Sequence, residues 1–168
     1  YADVIRATVP TTIWAIENGS VVWTTVGGDD GAHPGMGVHA FDGTTWRDYN
    51  SGTSPAMPTN LVNAVTVTGA GVRWFGTAAG AVRWRSDGGP QTMGADKLPA
   101  ASVRAVSADG RGRVWLAAYG CAATCAGGVA RVDDRGTADV SDDIWLTLTP
   151  GAGRLPSSDV RAILNTSD

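Results

Sequence analysis

Hydrophobic positions along the chain come in short runs rather than in a helical rhythm. No segment sustains an apolar period of 3.6 residues, so very little helix is expected. The runs are rich in valine, threonine and tryptophan, residues that suit a pleated, half-buried surface. VVWTTV (21–26), VRWFGT (72–77) and VWLAA (114–118) are the clearest. Each is followed by a glycine and a second run: GVHAF (37–41), GAVRW (80–84) and GGVARV (127–132). Further strands are expected at TTWRDY (44–49), QTM (91–93) and DIWLTL (143–148).

Ahead of these runs lies a repeated segment. MPTNLVNAV (57–65) returns as LPAASVRAV (98–106) and as LPSSDVRAI (155–163). The proline-to-valine spacing is the same from Pro58 to Val62, Pro99 to Val103 and Pro156 to Val160. VPTTIWAI (9–16) is a looser copy with one residue fewer. A period of roughly 40–57 residues suits a blade of four strands. Hairpin turns fall where such a meander needs them, at Asn18-Gly19, Gly69 to Gly71, Asp109-Gly110, Asp42-Gly43, Asp87 to Gly89 and Asp133 to Gly136. Glycine, asparagine and aspartate accept the positive φ that tight turns require.

The predicted architecture is therefore all-β: a partial β-propeller over 1–168, with about three four-stranded antiparallel blades at roughly 9–50, 57–94 and 98–149. Strands of flanking blades are expected at 3–9 and 160–164, within a next blade beginning at 155–168. Closed propellers have four to eight blades. Three blades leave apolar sheet faces open at both ends, which invite pairing. The expected partners are the remaining blades of the same propeller or another protein chain. The chain opens at Tyr1 without a methionine, so it reads as a processed product or a piece of a longer one.

Composition narrows the function. With 43% apolar and 17% charged residues, the 168-residue chain can bury a core. Its net charge of −3 argues against nucleic acid held on a basic surface. No apolar run reaches the length of a membrane-spanning helix, so no membrane insertion by this segment is expected.

In a propeller, the loops around the axial opening form the usual binding face. Two loops there are enlarged, VGGDDGAHPGM (26–36) with Asp29, Asp30 and His33, and AYGCAATCAGG (118–128) with Tyr119. Trp14, Asn63, Arg104 and Arg161 hold the same place in four successive units and would form an arc at the rim. Arginines there can grip anionic or hydroxyl-rich ligands, or pair with carboxylates and hold the rim together. Trp14 is a candidate for stacking on a sugar ring. Trp23, Trp74 and Trp115 are equivalent and are read as packing between blades. Trp84 is expected on a third strand, where it could be exposed. Cys121 and Cys125 form a local disulfide if the compartment is oxidising and are otherwise free thiols. No metal site is expected from His33 with Asp29 and Asp30, and no cofactor or catalytic motif is found.

The pattern LP-x-x-x-V-R-A-V, a glycine turn, V-W-L-A or R-W-F-G-T, then G-V-x-R resembles the two-component regulator propeller repeat, over 57–84, 98–132 and 155–164. Ala117-Ala118 departs from it where Gly76-Thr77 stands in the preceding unit. The resemblance implies a bacterial, extracytoplasmic (periplasmic or cell-surface) sensor-type propeller. The expected function is a non-catalytic ligand-sensing or interaction module for a carbohydrate or another small molecule. Two alternatives accompany it: an assembly subunit whose open ends another chain completes, and a piece of a propeller-based polysaccharide-active enzyme.

Overall fold

The computed structural model describes residues 11–17, 21–26, 37–54, 57–94, 96–121, 125–151 and 155–165. Every regular element among them is a strand. The first sheet holds β1 (Thr11–Glu17), β2 (Val21–Val26), β3 (Val38–Phe41) and β4 (Trp46–Tyr49). The second holds β5 (Val62–Val67), β6 (Arg73–Thr77), β7 (Gly80–Arg85) and β8 (Gly89–Met93). The third holds β9 (Val103–Ala108), β10 (Val114–Cys121), β11 (Cys125–Asp133) and β12 (Ile144–Leu148). Each is an antiparallel meander in chain order.

Neighbouring sheets meet along their first strands. β5 lies against β1 and β2, and β9 lies against β5 and β6. Each first strand thus sits beside the first two strands of the preceding sheet, the placement expected of successive wedges about one axis.

Period-two alternation supplies the packing between wedges. Trp74 and Phe75 are consecutive, each 1% exposed, and point to opposite sides of the second sheet. Trp74 joins Val103, Val114, Leu116 and Val132 in the core between the second and third sheets. Phe75 joins Val38, Met57, Val62 and Val82 in the core between the first and second. Full burial of a residue such as Phe75 contributes about 1.5–3 kcal/mol. Gly76 allows the approach: a Cβ there would stand 2.8 Å from Val103 Cγ1.

Trp84 lies on a third strand as expected, but is not exposed there. It is half-buried, edge-on to the Tyr49 ring at 4.6 Å and 6.3 Å from Phe75. Trp115, equivalent to Trp74, is only half-buried, because it faces away from the second sheet where no further sheet covers it among the described residues.

A polar clamp joins the second and third sheets. Arg83 on β7 is fully buried. It donates from Nη1 to Asp143 Oδ1 at 2.8 Å, from Nε and Nη2 to Gln91 Oε1 at 3.1 and 2.8 Å, and from Nη2 to the Ala138 carbonyl at 3.2 Å. Burial raises the Asp143 carboxyl above its ordinary value, and the Arg83 charge only partly offsets this. Neighbouring Arg85 donates from Nη1 to Asp134 Oδ2 at 3.3 Å and from Nη2 to the Gly136 carbonyl at 3.2 Å.

Turn chemistry follows the sequence closely. Asp109 Oδ1 accepts from the Arg111 and Arg113 amides at 3.0 Å each, while its Oδ2 accepts from Arg113 Nε at 2.7 Å and Trp115 Nε1 at 3.1 Å. Gly112 supplies the positive φ of 79° that this turn needs.

Three expectations change. The stretch 118–128 is not an enlarged loop: β10 runs on to Cys121 and β11 begins at Cys125, with those two residues opposed in the ladder. Residues 160–164 form no strand; they lie against β9, where Asn165 Nδ2 donates to the Ser107 carbonyl at 3.1 Å. The fourth strand of the second sheet starts at Gly89, two residues ahead of the expected QTM. The strand expected at 3–9 lies outside the described residues.

Candidate functional site

Each first strand slips register by one residue at the same place, as at a β-bulge. In β1 the partners jump from Ile13 to Ala15, in β5 from Val62 to Ala64, and in β9 from Ala105 to Val103. The extra residues are Trp14, Asn63 and Arg104, the first three of the four positions that the repeat sets in one row. A bulge leaves its extra residue outside the ladder and re-aims its side chain. Arg161 holds the fourth position, in the tail against β9.

Asn63 Nδ2 donates to the Val103 carbonyl at 2.9 Å, so this side chain ties β5 to β9. Arg104 reaches both its own sheet and the following unit. Its guanidinium carbon lies 4.5 Å from the centre of the Tyr119 ring, a cation–π stack. Its Nη1 also donates to Asp159 Oδ1 at 3.3 Å. Arg161 donates to Asp159 Oδ2 from Nε at 2.9 Å and from Nη2 at 2.8 Å. That bond, together with the Asp159 charge, raises Arg161 further above its ordinary value and keeps it cationic.

The structure thus gathers Arg104, Tyr119 and Arg161 around Asp159. Two cations share one carboxylate, and each guanidinium carries five donors. The Arg104 side chain is 41% exposed and that of Arg161 81%, so donors remain turned to solvent. Chemically, the patch can hold a carboxylate, a phosphate or a set of hydroxyls against an aromatic edge.

Tyr119 is placed by its own backbone. Its amide donates to the Ser102 carbonyl at 2.9 Å, fixing the extended end of β10 beside the start of β9. Gly127 stands opposite, and a Cβ there would be 2.5 Å from the Ser158 carbonyl oxygen, so glycine lets the tail cross the hairpin. Beyond Tyr119 the hairpin is closed covalently: Cys125 is disulfide-bonded, and Cys121, its register partner, is the other cysteine of the chain.

Asp29, Asp30 and His33 lie outside the described residues, and for Trp14 the backbone bulge alone is described. Among the described residues no cluster of three or more His, Cys, Asp or Glu side chains could hold a metal ion. Among them, too, no helix is long and apolar enough to cross a membrane. Two features escape a reading of the sequence. Asp159 is present in only one copy of the repeat, where LPSSDVRA replaces LPAASVRA. The Arg83 clamp was signalled only by an arginine in the third strand of two units, Arg83 and Arg131, and by the acids clustered at 133–143.

No family model matches the chain, and no curated protein does. Among solved structures it is similar to PorZ, a bacterial surface component of the type-IX secretion system of Porphyromonas gingivalis. The match has 19% identity and a TM-score of 0.57, over 74% of this chain and 18% of that one. It is also similar to the extracellular domain of the hybrid two-component system BT3049 from B. thetaiotaomicron, at 14% identity and a TM-score of 0.47, over 84% of this chain and 23% of that one. The chain therefore spans about a fifth of each. The likeness to PorZ bears on fold alone. Together with the sheet order and the row of first strands, it defines an all-β arc of three β-propeller blades.

Proposed function

We propose that the arc is a non-catalytic recognition module of an extracytoplasmic propeller, with Arg104, Tyr119 and Arg161 as its ligand-facing rim. The observation that carries this reading is the bulge repeated at one register in three successive strands. A bulge weakens its ladder, and here the three fall at the same position of the repeat. The ligand class that suits the rim is a small carbohydrate or peptide bearing a carboxylate or phosphate: the guanidinium donors take the anion and the tyrosine edge takes an apolar or sugar face. The disulfide at Cys125 supports an oxidising compartment outside the cytoplasm.

The test is a thermal-shift panel of uronic acids, sugar phosphates and short peptides. A ligand at 100 times its Kd adds about 2.7 kcal/mol of stability by linkage. Arg104→Ala and Arg161→Ala should abolish the shift and leave the unliganded melting temperature within about 2 °C, as expected for exposed side chains. A panel without any shift, or a shift that both variants retain, would overturn the reading.

A second reading has its own observation. Ile144, on the outer strand of the third sheet, is 50% exposed, and Trp115 is half-buried on the same face, so an assembly role in which another wedge covers that face is also proposed.

A further inference from the structure

The third sheet turns one face to the core it shares with the second, through Val114, Leu116, Ala130, Val132 and Trp145. Strand alternation puts Trp115, Arg131, Ile144, Leu146 and Leu148 on the other face. That face carries the same central pair as the face that the second sheet presents to the third. Trp74 opposes Arg83 in the second sheet, and Trp115 opposes Arg131 in the third.

The two arginines differ in what they meet. Arg83 is fully satisfied: its cross-strand neighbour Gln91 accepts two bonds, and Asp143 and the Ala138 carbonyl reach it from the next sheet. The cross-strand neighbour of Arg131 is Leu146, which has no acceptor to offer. The guanidinium lies 5.7 Å from the centre of the Trp115 ring, and its Nε is buried without a hydrogen-bond partner among the described residues. A buried donor without a partner is costly. In the Arg83 clamp the Nε acceptor is Gln91 of the same sheet, while the carboxylate from the next sheet meets Nη1.

We propose that Arg131 is a docking latch: the open face of the third sheet receives a further four-stranded wedge, whose loop between its third and fourth strands brings a carboxylate to Arg131 as Asp143 is brought to Arg83. The proposal rests on the assembly reading and adds its recognition chemistry. The occupant is a blade built like this chain's own third unit, with an acid at the position of Asp143. The tail already occupies the inner edge such a wedge would share. Asp159 and Asn165 fasten it to Arg104 and the Ser107 carbonyl of β9, much as Asn63 fastens β5 to the Val103 carbonyl.

The probe is the chain's own unit. Val160 holds the position of Val103, so Asn165 holds that of Ala108, and residues 109–165 can be repeated in frame after Asn165. In this lengthened chain the added unit should gain slowly exchanging backbone amides. Arg131→Ala should lower the melting temperature of the lengthened chain by about 6 °C or more, and that of the 168-residue chain by less than about 2 °C. Arg131→Asp combined with Asp143→Arg in the added unit should recover most of the loss. Equal effects of Arg131→Ala in both chains would remove the latch while leaving the open-face reading intact. An added unit that gains no protected amides would overturn both.

Discussion

Replacing Arg83 with methionine isolates the contact that joins the second and third blades. The guanidinium is fully buried and makes four hydrogen bonds, two of them to groups of the third sheet. Methionine fills much of the space yet leaves the Asp143 carboxylate, whose side chain is 1% exposed, without its cation. Removing one partner of a buried ion pair costs about 3–5 kcal/mol, whereas exchanging both partners for apolar groups is close to neutral. Arg83→Met should therefore cost about 3–5 kcal/mol in urea unfolding at pH 7, a fall in melting temperature of roughly 6–20 °C. Arg83→Met with Asp143→Leu should return to within about 1 kcal/mol of the parent. The pH dependence has a defined sign. Burial already holds the folded Asp143 carboxyl above its value of 3.8, and losing Arg83 removes the charge that opposes burial. A folded pKa above the unfolded one means the folded state binds the proton more tightly, so stability rises as pH falls through the folded pKa. The gap between Arg83→Met and the parent should narrow on acidification toward pH 4. A loss below about 1 kcal/mol, or single-variant costs that simply add in the double variant, would refute this account of the clamp.

Two further substitutions test the local chemistry. Gly128 has φ 148° and a Cβ would run into the Leu148 carbonyl oxygen, so Gly128→Ala should cost about 3 kcal/mol or more and release the end of β12 from exchange protection. Gly136→Ala, at φ 75° in open space, should cost only about 1–2 kcal/mol; equal losses would contradict the steric argument. Burial pushes the Asp109 carboxyl up, but the bonds from Trp115 and Arg113 and the two backbone amides outweigh it and hold the group below 3.8. Its contribution is then present above the unfolded value and is lost as pH falls through the lower folded one. Asp109→Asn should cost about 1.5–3 kcal/mol at pH 7, with the difference from the parent shrinking as pH falls below 3.8 and gone once the lower folded value is passed in acid unfolding curves; a difference that does not shrink would oppose it.

The three wedges were legible in the chain because several independent signals agree along it. Valine- and tryptophan-rich runs are followed by glycine, Gly69 to Gly71 and Asp109-Gly110 mark hairpins, and the proline-to-valine spacing sets each first strand. The row of Trp14, Asn63, Arg104 and Arg161 could also be placed from register alone. What could not be read was partnership. Asn63 and Arg104 share a row, yet one ties two strands together and the other stacks on Tyr119, since the acceptor each finds lies about 15–55 residues away in the chain. For the same reason Arg83 looked like an ordinary strand residue, because its acids sit in the loop of another blade. The hairpin at 118–128 read as a loop because alanine and glycine favour strands weakly; ladder pairing and the disulfide supply what propensity does not.

The most direct test of the whole arrangement is a nuclear Overhauser map of contacts between the first strands. Three contacts carry it: the Asn63 side-chain amide to β9, the Gly76 α-protons to the Val103 methyls, and the Asn165 side-chain amide to Ser107. Wedges set around one axis predict cross-peaks at all three, stepping from the second blade to the third and on to the tail. Cross-peaks from Asn63 and Gly76 confined to β5–β8, with none to Val103, would contradict the account.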